Sequence, residues 1–199
     1  TLQIVEGVAE CVLCVAGKFR TNRTKSEATA TCEICPVNAY CPEGSVIPIA
    51  CAENEVSSMG SSLQQHCQCP VGRGRLADME SHPGNSTNPC LLCVPGTFSP
   101  SIQNGACQVC PANKNTSMYG ASFKAQCRCV PGHGVSLSAL SNSKQDDVIC
   151  SPCVDGFFAS GGRNIACTHC GWGGITEPPL AAVSSDACLC NAELGLYES

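Results

Sequence analysis

A set of small β modules stapled by disulfides, with little helix, is the fold class that three observations predict. Twenty of 199 residues are cysteine, the cysteines recur in a fixed phrase, and 19 Gly and 13 Pro interrupt the stretches between them. One cysteine in about ten residues marks a disulfide scaffold. Five Phe, three Tyr and one Trp are too few for a large aromatic core, and no apolar stripe runs at helical spacing. Local cross-links must then replace the core. A bridge closing a loop of roughly 15 to 25 residues stabilises by about 3 kcal/mol.

The phrase is a C-x2-C pair, a second C-x2-C pair and a C-x-C pair. Its first copy is Cys11/Cys14, Cys32/Cys35 and Cys67/Cys69. The second is Cys90/Cys93, Cys107/Cys110 and Cys127/Cys129, and the third is Cys150/Cys153, Cys167/Cys170 and Cys188/Cys190. Two cysteines remain, Cys41 and Cys51, both inside the first copy, where positions 35 to 67 are 32 apart against 17 and 18 in the other copies. An inserted loop with its own bridge accounts for both facts. The expected organisation is the end of a preceding repeat over 1–13, repeat one over 14–90, repeat two over 91–150 and repeat three over 151–199.

Turn signals recur with the cysteines. Gly17-Lys18-Phe19, Gly96-Thr97-Phe98 and Gly156-Phe157-Phe158 each follow a first pair. Each reads as a turn glycine feeding a short strand, with the ring covering a bridge. The Gly-x-Gly pieces after Pro70 and Pro131 are turns, because no helix pattern follows them as a phosphate loop requires.

Composition also excludes classes of function. Disulfides persist in oxidising compartments, so the chain is expected at the cell surface or outside it. No stretch approaches the ~18 apolar residues of a membrane span. A formal charge of −5 argues against a nucleic-acid surface. The basic cluster Lys18, Arg20, Arg23 and Lys25 reads as a solvated turn. No Gly-x-Ser-x-Gly, metalloprotease helix or paired carboxylates suggest catalysis. No cofactor is expected. Asp146-Asp147 before Cys150 is the nearest approach to an acidic calcium cluster and reads as a turn. Cys90-x2-Cys93 with Cys107-x2-Cys110 has the spacing of a zinc ribbon. Six cysteines per copy fill three bridges, however, and would leave a C-x-C pair idle beside a four-ligand metal. Asn22-Arg23-Thr24, Asn85-Ser86-Thr87 and Asn115-Thr116-Ser117 are N-glycosylation sequons, so N-linked glycans are expected at one or more of Asn22, Asn85 and Asn115.

Read from Cys93, the order Cys93, Cys107, Cys110, Cys127, Cys129, Cys150 resembles the epidermal-growth-factor-like pattern, and the same phase fits tumour-necrosis-factor-receptor repeats. At residue level the sequence is most similar to the ephrin-receptor-like cysteine-rich repeat. The match runs through Cys93-Val94-Pro95-Gly96-Thr97-Phe98, Cys107-Gln108-Val109-Cys110-Pro111-Ala112-Asn113 and Cys127-Arg128-Cys129-Val130-Pro131-Gly132. It covers copy two fully. Copy one departs through its insert, and copy three through Cys170-Gly171-Trp172-Gly173 and Pro178-Pro179. The growth-factor-like resemblance implies Cys14-Cys35, Cys32-Cys67, Cys69-Cys90, Cys93-Cys110, Cys107-Cys127, Cys129-Cys150, Cys153-Cys170 and Cys167-Cys188, with Cys41-Cys51 in the insert. Cys11 and Cys190 are left over, and partners in flanking repeats are expected for them, as for a window from a longer array.

The resemblance further implies an elongated tandem of EGF-like/ephrin-receptor-like modules with contacts mainly between neighbours. The expected role is a non-catalytic structural or adhesive segment of a larger surface protein, a spacer, filament, sheath or matrix component. Its partners would be other protein chains or further repeats. The alternative is a receptor ectodomain that binds a protein ligand, with Tyr40, Ile47, Ile49 and Met59 as the contact patch. An intracellular zinc protein is the remote third reading.

Overall fold

A computed structural model describes residues 2–5, 8–21, 31–76, 89–135 and 148–196, with backbone alone over 2–11. Asn22, Asn85, Asp146, Asp147 and the Cys11 side chain lie outside the described residues. Secondary structure among the described residues consists of two-stranded antiparallel ladders, single 3-10 turns and three isolated bridges, of which Phe158↔Ala182 is parallel. Glycine and proline every few residues end each ladder after two to four rungs. No helix among the described residues is long and apolar enough to cross a membrane. The chain divides into two compact units, 1–91 with 101–106, and 92–100 with 107–199.

In the first unit β1 (Leu2–Val5) pairs with β2 (Val8–Cys11), β3 (Lys18–Arg20) with β4 (Cys32–Ile34), and β5 (Ala39–Tyr40) with β6 (Ile49–Ala50). A 3-10 turn at Gln64–His66 precedes β7 (Arg73–Gly74), which pairs with β8 (Leu91–Leu92), where the chain passes to the second unit. The hairpin β3–β4 is registered Phe19↔Glu33. Phe19 packs on a buried group of Cys35, Ala39 and Cys41.

In the second unit β9 (Thr97–Phe98) pairs with β10 (Gln108–Val109), β11 (Lys114–Asn115) with β12 (Arg128–Cys129), and β13 (His133–Val135) with β14 (Cys150–Pro152). β15 (Phe157–Phe158) pairs with β16 (Thr168–His169), and β17 (Gly174–Thr176) with β18 (Cys188–Cys190). Phe98 is buried with Cys110, Ala121 and Cys127, so here too the ring covers a bridge.

Nine disulfides hold the described residues: Cys14–Cys32, Cys35–Cys41, Cys51–Cys67, Cys69–Cys90, Cys93–Cys107, Cys110–Cys127, Cys129–Cys150, Cys153–Cys167 and Cys170–Cys188. Seven expected pairs are therefore corrected. Cys14-Cys35, Cys32-Cys67, Cys41-Cys51, Cys93-Cys110, Cys107-Cys127, Cys153-Cys170 and Cys167-Cys188 are replaced by pairs that follow chain order.

The cause is local and clearest in copy two. Thr97 N donates to Val94 O, a tight turn that sends the chain back after Cys93. The register Phe98↔Gln108 then places Cys107 and Cys110 at the two ends of β10. Three positions apart in an extended strand, they leave on opposite faces. Cys107 meets Cys93, and Cys110, whose N donates to Gly96 O, closes with Cys127 instead. Copy one repeats the first step as Cys14–Cys32, with Cys35 N donating to Gly17 O. Its extra cysteines do not form a separate loop bridge. Cys41 closes a short ring with Cys35, six positions before it, and Cys51 takes over Cys67.

Candidate functional site

Two structures built from the repeat are candidates for function: the joint that bonds a loop of one copy onto the copy before it, and the apolar surface left outside. The joint begins with main chain. In the first unit Cys69 N donates to Gln103 O at 2.9 Å and Gln103 N donates to Cys69 O at 3.0 Å, a two-way bridge next to Cys69–Cys90. Arg75 N then donates to Gly105 O at 3.0 Å.

Side chains complete it. The Arg75 guanidinium donates to Asn104 Oδ1 from Nε and Nη2 and pairs with the Glu55 carboxylate. Asn104 Nδ2 donates to Gln65 O at 3.1 Å. Because both charges of the pair are mostly buried, at 15% and 9% exposure, and further hydrogen bonds satisfy the arginine, the pair is locked in one geometry.

The second unit repeats the joint sixty positions on with different chemistry. Val135 N donates to Ile165 O at 2.9 Å, as Arg75 N does to Gly105 O. Asn164, buried at 6% exposure, stands where Asn104 does. Its Oδ1 accepts from Cys129 N at 3.1 Å and its Nδ2 donates to Cys127 O at 3.4 Å, so one amide spans the C-x-C pair. Val135, buried with Cys129, Val148 and Cys150, replaces the Arg75 ion pair by apolar packing. Asn113 adds a bond from Nδ2 to Cys150 O at 2.9 Å.

Within copy three Asp155 pins a hairpin loop. Its Oδ1 accepts from Thr176 N at 2.7 Å, from Gly156 N at 2.9 Å and from Thr176 Oγ1 at 3.2 Å. These bonds favour the ionised carboxylate and hold it below the usual aspartate range, the bond from Thr176 N contributing most. In copy two Thr116, 2% exposed, accepts from Gly96 N at 2.9 Å in the same place.

None of Asn104, Asn164, Glu55, Arg75 and Asp155 is legible as a functional residue in the sequence. The one available signal was the repeated Asn-x-Ala-Cys at Asn104 and Asn164. The sites that were expected fall as follows. Cys90, Cys93, Cys107 and Cys110, the zinc-ribbon candidates, are all in disulfides. Cys190, half-buried in β18, has a free thiol. Asn115 is exposed in β11, opposite Arg128. Of the candidate contact patch, Met59 is 65% exposed, Ile47 49% and Ile49 43%, while Tyr40 is half-buried.

Residues 82–127 match the family model described as tyrosine-protein kinase ephrin type A/B receptor-like. The chain is 29% identical over 187 residues to cysteine repeat modular protein A of Toxoplasma gondii, covering 90% of this chain and 5% of that protein. It is 31% identical over 102 residues to human ephrin type-B receptor 4, covering 46% and 10%. It is 27% identical over 178 residues to mouse signal peptide, CUB and EGF-like domain-containing protein 3, covering 81% and 15%. It also aligns with a chain of the human RANKL/OPG complex at 16% identity and a TM-score of 0.23, over 77% of this chain and 97% of that one, a score too low to support an argument. The chain thus spans a small fraction of the length of each curated relative. Its bridges and hairpins form a series of cysteine-rich modules that is similar to the ephrin-receptor-like and EGF-like repeats of extracellular and cell-surface proteins.

Proposed function

We propose that this segment is a non-catalytic structural or adhesive part of a larger disulfide-rich surface protein, a spacer, filament, sheath or matrix component. The observation that supports the reading is the joint. A loop of one repeat is bonded through Asn164 and main chain onto the C-x-C pair of its predecessor, a device that transmits position along a chain and offers no reactive group. Its partners are then further repeats and other protein chains. Repeat boundaries at 14–90, 91–150 and 151–199 are part of the proposal, as are bridges from Cys11 and Cys190 to flanking repeats and N-glycans on Asn22, Asn85 and Asn115.

The exposure of Ile47, Ile49 and Met59 favours a second reading, a receptor ectodomain that binds a protein ligand, and a human receptor is among the relatives. Beads coated with the secreted chain distinguish the two. A structural or adhesive segment predicts adhesion to beads bearing the same chain or to matrix, unchanged in the triple variant Ile47→Ser, Ile49→Ser, Met59→Ser. Loss of all adhesion in that variant, with the disulfide map intact, overturns the structural reading in favour of the receptor.

A further inference from the structure

Trp172 is 86% exposed, more than any other large apolar side chain described. The fold does not require it. The same turn is Pro36-Val37-Asn38 in copy one and Pro111-Ala112-Asn113 in copy two, with Asn38 and Asn113 at positive φ. In copy three Gly173 takes the positive φ and the middle position carries an indole. A small residue at that position suffices in copy two, so the indole serves no packing need of the module. Exposed tryptophan is costly in water and is enriched among the residues that dominate interfaces.

The acceptor is in the same unit. A cavity of about 320 Å³ is lined by the apolar side chains of Phe158 and Ile165 together with the polar Arg163, His133, Ser160 and Thr168. It lies at the small end of the roughly 300–1,000 Å³ range of ligand pockets, a size for one large side chain and not for an extended ligand. Phe158 and Ile165 offer apolar contact to an aromatic ring within an otherwise polar lining, and tryptophan is the best ring for a guanidinium to face in a cation–π contact. Charge agrees as well. Asn191 N donates to Gly173 O at 3.1 Å, which ties the segment carrying the exposed Glu193, two residues further on, to the Trp172 turn; Glu193 is opposite in sign to Arg163.

We propose that Trp172 of one copy of this chain inserts into the Phe158–Ile165 cavity of a second copy, with Glu193 facing Arg163. Knob and hole are different surfaces of the same chain, so the contact is heterologous and propagates into open assemblies. It stands whether the segment is a spacer or a receptor.

Sedimentation velocity of the secreted chain tests it, with Trp172→Ala removing the knob and Arg163→Glu reversing the hole. The parent chain forms a concentration-dependent series of oligomers. Each variant alone weakens self-association by at least about thirtyfold, the effect of losing an interface hot spot. Mixed in equal amounts, the variants form a dimer and nothing larger, because one intact knob and one intact hole remain. An unchanged parent-like series for Trp172→Ala overturns the proposal. So does a monomeric mixture of variants whose disulfide maps match the parent, a dimeric Arg163→Glu chain, or a parent that stays monomeric and binds lipid vesicles through Trp172.

Discussion

A single buried amide carries much of the joint in the second unit. Asn164→Ala leaves Cys129 N without its acceptor in a buried place and opens a small void, at a cost of about 1–3 kcal/mol. Asn164→Asp keeps an acceptor for Cys129 N but buries a charge and turns an oxygen onto Cys127 O, so it is destabilised as well. Denaturant unfolding shows both variants below the parent; equal stability of parent and alanine variant refutes the role. Asp155 makes the module acid-sensitive. Its folded-state pKa is depressed, so its contribution is present above the unfolded aspartate value near 4 and is lost as pH falls through the folded value. Asp155→Ala is accordingly less stable than the parent at pH 7, and the two converge in acid. A thermal-unfolding series from pH 7 to pH 2 reads this directly, and a gap that persists in acid contradicts it.

At the scale of the hairpin, the repeat exposes one misfit of its own. Ala181 N donates to Cys153 O as Gly120 N does to Cys93 O and Gly44 N to Cys14 O, and all three residues have positive φ: 59°, 75° and 76°. Two copies place glycine there and the third an alanine, which pays roughly 1–2 kcal/mol for left-handed backbone. Ala181→Gly relieves it and is partly offset by the unfolded-state freedom of glycine, so a net gain of up to about 1 kcal/mol is expected in denaturant unfolding; a loss excludes the account. The hairpins show what the sequence made legible. Gly96-Thr97-Phe98 and its counterparts foretold a turn and a strand, and in copies one and two a ring over a bridge, because those preferences act within a few residues; in copy three Phe157 stacks edge-on with His169. Pairing was not legible, because C-x2-C spacing does not say on which face each sulfur leaves β10; the Val94–Thr97 turn and the Phe98↔Gln108 register decide that. Asn164 was hidden for a similar reason: a polar residue in a polar loop reads as solvated until the loop is seen folded onto Cys127 and Cys129.

At the scale of the whole chain, the described residues are held by sulfur more than by hydrophobic burial. The buried clusters among them are Phe98 with Cys110, Ala121 and Cys127; Val135 and Val148 with Cys129 and Cys150; and Ala39 with Cys35 and Cys41. Half or more of each cluster is cystine, so reduction removes the cross-link and the packing together. At about 3 kcal/mol for a loop of 14 to 21 residues, the loss of a few bridges exhausts the 5–15 kcal/mol typical of a folded domain. Exchange requires a thiolate to reach sulfur, so burial sets the order of attack. Cys170–Cys188 has both residues half-buried and is the most open. Cys35–Cys41 and Cys69–Cys90 have all four residues at 0% exposure, and Cys129–Cys150 is nearly as closed, at 1% and 0%. Timed treatment with a mild reductant, followed by alkylation and peptide mass mapping, should label Cys170 and Cys188 first and the three closed bridges last and together, as the remaining structure collapses. Early labelling of Cys35 and Cys41 would show that this short ring opens to solvent and that burial does not protect it.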